Sequence, residues 1–122
     1  MISKAYNYIK NIRTTGAVYE SSRFVSRNIT HEINNHRPQV VVELGAGSGN
    51  ITERILSKLH PESTLYCFEI EPQFYAKLEN IKDTRFHLIK QSAADVTKYF
   101  ELSSVDIIIS GLPLSLFDNS ER

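Results

Sequence analysis

Three observations predict an α/β domain built on a parallel sheet. Four strand-sized runs rich in Val, Ile and aromatic residues occupy positions 39–44, 63–69, 86–90 and 105–110. Between them lie segments with apolar residues at helical spacing, at 50–59, 72–82 and 94–100. The first run leads into Glu43-Leu44-Gly45-Ala46-Gly47-Ser48-Gly49, a glycine loop at a strand-to-helix junction. Strands that alternate with helices form parallel sheets through right-handed crossovers. A glycine loop at the carboxyl end of such a strand seats a nucleotide-like ligand.

Taken in order, residues 1–13 place Ile2, Ala5, Ile9 and Ile12 on one helical face, with Lys4, Lys10 and Arg13 elsewhere. A basic amphipathic helix of this kind lies on an anionic membrane surface or packs its stripe on the domain or a second copy. Residues 14–23 break the pattern, and Gly16 suits a loop. Phe24, Val25, Ile29 and Ile33 then line a second helix, which Pro38 closes. The expected organisation is therefore an N-terminal helical segment over 1–37 and a ligand-binding domain over 38–122. Pro72 opens the next helical pattern, where its fixed φ suits the first turn.

The 122 residues suffice for one small core. The formal net charge is zero, so composition gives no reason to expect nucleic acid as a partner. Residues 1–37 nevertheless carry six Lys/Arg against Glu20 and Glu32, a local +4 that the remainder balances. One cysteine, Cys67, excludes an intrachain disulfide and suits a reducing, cytoplasmic setting. No secretory signal is visible, and no run reaches the roughly 20 apolar residues of a spanning helix. His31, His36, His60 and His87 lack metal-ligand spacing, so no metal is expected.

The loop discriminates between ligands. Nicotinamide sites favour G-x-G-x-x-G with a pyrophosphate at the helix N-terminus. Here glycines alternate and Glu43 stands before them, where its charge opposes a pyrophosphate and suits a ligand with an ammonium group. Glu69 ends the second strand, where a carboxylate can accept both hydroxyls of a ribose. Glu71 beside it reads as a helix N-terminal charge. Gln91-Ser92-Ala93-Ala94-Asp95 ends the third strand, with an acceptor and a backbone N–H for an adenine edge.

In order and content, Glu43 to Gly49, Phe68-Glu69-Ile70-Glu71-Pro72, Gln91 to Asp95 and Ser110-Gly111-Leu112-Pro113-Leu114 resemble the motifs of class I S-adenosylmethionine-dependent methyltransferases. The resemblance implies a Rossmann-like three-layer sandwich, here a partial fold of strand order 3-2-1-4 with N-terminal helices. It also implies S-adenosylmethionine as cofactor. Glu43, Gly45, Ala46, Gly47 and Gly49 would hold the methionine part, Glu69 the ribose, Ser92 and Ala93 the adenine, with Ile70 a further cofactor contact. Ser110 would be a further cofactor contact and, with Tyr19, a candidate catalytic residue. Many members of that class have Asp where Ser92 stands; a hydroxyl is the weaker acceptor.

The fourth strand's end separates branches of the class. The rRNA adenine dimethylases carry a polar acceptor and an aromatic ring there, which grip a flipped base. Gly111-Leu112-Pro113-Leu114 keeps the proline and lacks both handles. The same residues are similar to bacterial phospholipid N-methyltransferases, as is Gly16-Ala17-Val18-Tyr19-Glu20-Ser21-Ser22-Arg23. That likeness implies a phosphatidylethanolamine-type or other small amine substrate, with peripheral contact of residues 1–13 at the inner membrane. The dimethylase reading and a cofactor-binding fragment without turnover stand as alternatives. Tyr19 is either a contact for the incoming amine or a packed aromatic, and no general base is identifiable.

The resembling fold has seven strands in the order 3-2-1-4-5-7-6, whereas this sequence stops soon after the fourth. Residues 105–110 would then form an apolar sheet edge, an aggregation liability. It is expected to be covered by residues 112–117, by a second copy in a homodimer, or by a further portion of a longer protein.

Overall fold

The computed structural model describes residues 17–20, 33–99 and 104–110, with backbone alone for 17–20. Five parallel strands form one sheet: β1 (Ala17–Glu20), β2 (Val40–Leu44), β3 (Thr64–Phe68), β4 (Phe86–Ile89) and β5 (Ile107–Ser110). Their spatial order is β1-β5-β2-β3-β4. Between β2 and β3 runs α1 (Asn50–Lys58). A 3-10 turn (Pro72–Phe74) leads into the short α2 (Tyr75–Glu79) before β4. A second 3-10 segment (Ala93–Lys98) precedes β5. The expected single helix over 72–82 is thus divided, and the one expected over 94–100 is a 3-10 segment. Both stretches are short, so few i→i−4 bonds are available to favour the wider α geometry.

The order β5-β2-β3-β4 is the expected 3-2-1-4 arrangement. The central strands are buried on both faces, which is why they read as β-branched runs rather than alternating ones. On one face Val41, Leu65, Ile107 and Ile109 pack against Ile55 and Leu56 of α1 and Leu59 just after it, together with Ile33. On the other, Val42, Leu44, Phe68 and Ile108 pack against Ala93 and Val96 of the second 3-10 segment.

Strand β1 is a correction. It lies inside the expected loop over 14–23 and pairs with β5 from Ala17↔Ile107 to Glu20↔Ser110. Four residues show no usable periodicity, and the partner lies about 90 residues away in sequence, so only tertiary pairing reveals the strand. The apolar edge of β5 is therefore covered by this chain's own N-terminal strand. Residues 1–13, 21–32 and 112–117, with the helical and membrane-contact expectations placed on them, lie outside the described residues. Among the described residues, no helix is long and apolar enough to cross a membrane.

The amino ends of the strands are closed by side chains. The Asp106 carboxylate accepts from Val40 N–H at 2.8 Å, and Ser63 Oγ from Gln39 N–H at 2.9 Å. Before β4, Arg85 grips Asp83 through Nε and Nη2 at 2.9 and 2.7 Å and donates Nη1 to Leu59 C=O at 2.9 Å. This clamp ties the end of α1 to the turn before β4. The Arg85 guanidinium holds the Asp83 carboxyl down to about 2. A depressed acid stabilises above its unfolded value and loses that contribution as pH falls through the folded one. Asp83→Asn is expected to cost about 1–2 kcal/mol at pH 7. In urea unfolding, the gap to the wild type should close progressively as the pH falls from 4 toward 2.

Candidate functional site

With the amino ends sealed, the carboxyl ends carry the loops. The chain runs β2, β3, β4 in one direction across the sheet, while β5 and β1 lie on the other side of β2. The crevice above the β2/β5 boundary is the switch point where ligands bind in open parallel sheets.

Residues 45–49 leave β2 and turn into α1. Gly45, Gly47 and Gly49 all have positive φ, at 80°, 56° and 88°, which L side chains resist. Two of them have further reasons. A Cβ at Gly47 would meet nothing within 4 Å, so this backbone faces open space. A Cβ at Gly49 would lie 3.2 Å from Leu78 Cδ2, so that glycine lets the loop approach α2. Gly45 N–H donates to Phe68 C=O at 2.8 Å, binding the loop's first residue to β3.

Glu69, at the tip of β3, is 6% exposed. Its Oε1 accepts from Gly47 N–H at 2.7 Å, and its Oε2 accepts from the N–H groups of Ile70 and Glu71 at 3.1 and 3.0 Å. Tyr75 OH donates to Glu69 C=O at 3.1 Å. Lys90 Nζ stands 4.9 Å from the Tyr75 ring centroid and pairs with Glu79 at 2.5 Å. The carboxylate is thus oriented by backbone amides and its peptide by a phenol.

Beside it lies a cavity of about 260 Å³, whose lining includes Gly45, Gly47, Glu69, Ile70, Gln91 and Ala93. Phe68 and Phe74 also face it. Ile70 is 56% exposed and forms an apolar lip. Apolar walls with the carboxylates of Glu69 and Glu71 at the rim suit a nucleoside: the walls take a flat base, and a carboxylate accepts hydroxyls. A larger cleft of about 620 Å³, lined in part by Glu53, Lys77, Asp83 and Arg85, contains none of the expected site residues.

The remaining expected residues are not among those that line this cavity. Ser92 caps the second 3-10 segment, its Oγ accepting from Ala94 N–H at 3.0 Å. Ala46 packs with Cys67 and Leu78. Ser110 ends β5, buried, in register with Leu44. Tyr19 is in β1, in register with Ile109. Glu43 is 2% exposed and accepts from Thr52 Oγ1 at 2.6 Å. Burial pushes its carboxyl up to about 7, against hydrogen bonds from Thr52 and Cys67. Burial likewise pushes the Cys67 thiol up, so it is no thiolate nucleophile at neutral pH. Among the described residues, no group of three His, Cys, Asp or Glu side chains could hold a metal ion.

Sequence reasoning assigned no role to Phe74, Tyr75 or Thr52. Phe74 and Tyr75 read as one apolar helix face, but the 3-10 turn sends Phe74 to the cavity and Tyr75 to the Glu69 peptide. For Thr52 a signal existed: it lies in the first turn of the helix that packs on the Glu43 face of the sheet.

The profile of the ribosomal RNA adenine dimethylase family matches residues 9–108. An ornithine lipid N-methyltransferase of Singulisphaera acidiphila is 30% identical over 115 residues, covering 90% of this chain and 60% of that protein. The ribosomal RNA small subunit methyltransferase A of a Sulfurihydrogenibium species is 32% identical over 114 residues, covering 90% and 43%. Among solved structures, a Clostridium thermocellum protein assigned as an rRNA-methylase superposes with a TM-score of 0.51 at 23% identity, covering 61% of this chain and 43% of that one. A Thermoplasma acidophilum protein assigned as a methyltransferase gives 0.52 at 18% identity, covering 80% and 47%. These two show the fold. The chain spans about half the length of the relatives it matches, from 43% to 60% for these four.

Proposed function

Because the chain belongs to the ribosomal RNA adenine dimethylase family of class I methyltransferases, we propose that it binds S-adenosylmethionine and methylates the amine of a lipid headgroup. The observation that carries the cofactor reading is Glu69, a buried and amide-oriented carboxylate at the mouth of an apolar cavity beside Gly47. Glu69 would take the ribose hydroxyls, Ile70 and Ala93 would flank the base, and the Gly45–Gly47 backbone would allow close approach. When bound, S-adenosylmethionine supplies a methyl group already activated on a sulfonium. The chain's task is then to bind, orient and exclude water, and no protein nucleophile is required.

Three features favour a lipid amine. After Ser110, Gly111-Leu112-Pro113-Leu114 offers neither a side-chain acceptor nor a ring for a flipped base. The Singulisphaera relative, an ornithine lipid N-methyltransferase, is matched along 60% of its length. The basic stretch 1–13 supplies charge for a peripheral approach to anionic lipid. Methylation of an rRNA adenine is the second reading, favoured by the family profile and the Sulfurihydrogenibium relative.

Transfer of labelled methyl to vesicles containing phosphatidylethanolamine or ornithine lipid, run beside unmodified small-subunit rRNA, separates them. Label in lipid alone is the expected result. Label in RNA alone replaces the first reading by the second. Cofactor binding with label in neither leaves a binding fragment without turnover.

A further inference from the structure

Glu43 stands two residues before the glycine loop and Thr52 three residues after it. Their 2.6 Å hydrogen bond spans the whole turn, from the end of β2 to the first turn of α1. Both residues are sealed from solvent, Glu43 at 2% and Thr52 at 0% exposure. Alternation along β2 puts Glu43 on the same face as Val41, the face on which α1 packs. Its neighbours in the sheet are Cys67 on β3 and Ile109 on β5. The groups that act on its carboxyl are Thr52 from α1, Cys67 from β3 and the negative charge of Glu69 at the tip of β3.

A carboxyl so placed is sheltered from a ligand in the crevice. It is well placed to hold the two ends of the loop together. We propose that Thr52 is a positioning residue: through Glu43 it latches the glycine loop and keeps the Gly45 and Gly47 backbone in the shape that receives the cofactor. The loop contains three residues at positive φ and few internal bonds, among them Gly49 N–H to Ala46 C=O at 3.1 Å. A side-chain bond across its base removes freedom that binding would otherwise have to remove. This inference rests on the cofactor reading above for its purpose, but the latch itself exists without ligand.

The test compares wild type, Thr52→Val, Thr52→Ser and Glu43→Gln by amide hydrogen exchange over residues 45–50 and by calorimetry with S-adenosylhomocysteine. Val keeps the shape and removes the donor; Ser restores the donor; Gln keeps a neutral acceptor. Thr52→Val should exchange its loop amides about 10-fold faster or more, and bind S-adenosylhomocysteine about 10-fold more weakly. Thr52→Ser should stay within about 2-fold of wild type on both counts. Glu43→Gln offers Thr52 a neutral acceptor that cannot ionise, so its loop exchange should fall between those of wild type and Thr52→Val.

Unchanged exchange in Thr52→Val overturns the latch. Faster exchange with unchanged affinity makes Thr52 a fold contact only and overturns its positioning role. If Thr52→Val does not fold, Thr52→Ala, which also removes the donor, takes its place, and loop exchange identical to wild type in that variant refutes the proposal. A wild type that binds no S-adenosylhomocysteine refutes the cofactor reading, while the exchange comparison still judges the latch.

Discussion

Replacing Glu69 by Ala is expected to weaken S-adenosylmethionine binding by about 100-fold or more, to the limit of calorimetric detection. An ionised carboxylate offers about four acceptor sites. Among the described residues three are used, by Gly47 on Oε1 and by Ile70 and Glu71 on Oε2. One site on Oε1 is open for a ribose hydroxyl, and a second becomes available when the Gly47 N–H gives way. The substitution removes both and orphans three amides at once, so the loop loses its fastening to β3 as well. Glu69→Gln separates these losses. It keeps one acceptor but presents an NH₂ to amides or hydroxyls that need an oxygen, so affinity should fall by about 10-fold or more with the fold intact. Circular dichroism of both variants checks the fold. A Glu69→Ala variant that is folded and binds like wild type would remove the ribose assignment.

The parts of this site that were legible in the sequence are those whose chemistry is local. Alternating glycines after a β-branched run require positive φ and close approach, and all three have positive φ in the structure. A carboxylate at the end of the next strand lands at the sheet's carboxyl edge because parallel strands end there in register, Glu43↔Cys67 and Leu44↔Phe68. What was illegible depends on partners distant in the chain. β1 is a strand only because β5 offers it an edge. Gly49 looks like its two neighbours in the sequence, yet its added Cβ would meet Leu78, a residue known to face it only once α2 is placed. The second 3-10 segment hides in an apolar spacing that also fits an α-helix. Glu43 was legible in place but not in exposure. Strand alternation assigns it to the helix-covered face, and nothing in the run Val40-Val41-Val42-Glu43 reveals that Thr52 meets it there.

That burial has a consequence for pH. The Glu43 carboxyl has an ordinary value of 4.5 and is pushed up to about 7 by burial, with Glu69 adding to the shift and Thr52 and Cys67 opposing it. Between those values the folded state holds a proton that the unfolded chain has released. Folding is therefore favoured by protons, and stability from this group is fully present below 4.5 and lost as pH rises through 7. A shift of this size corresponds to about 3 kcal/mol between the two limits. Glu43→Gln is permanently neutral, so the stability difference between it and wild type should change by about that amount across pH 4.5–8, in favour of Gln at the alkaline end. Urea unfolding of both proteins at half-unit pH steps measures the difference directly and cancels the titration of every other group. A cationic ligand above the loop would favour the ionised form and so release a proton on binding near pH 7. A wild type and a Glu43→Gln variant whose stability curves run parallel through this range would show that the carboxyl is ionised throughout and not held as a neutral acid.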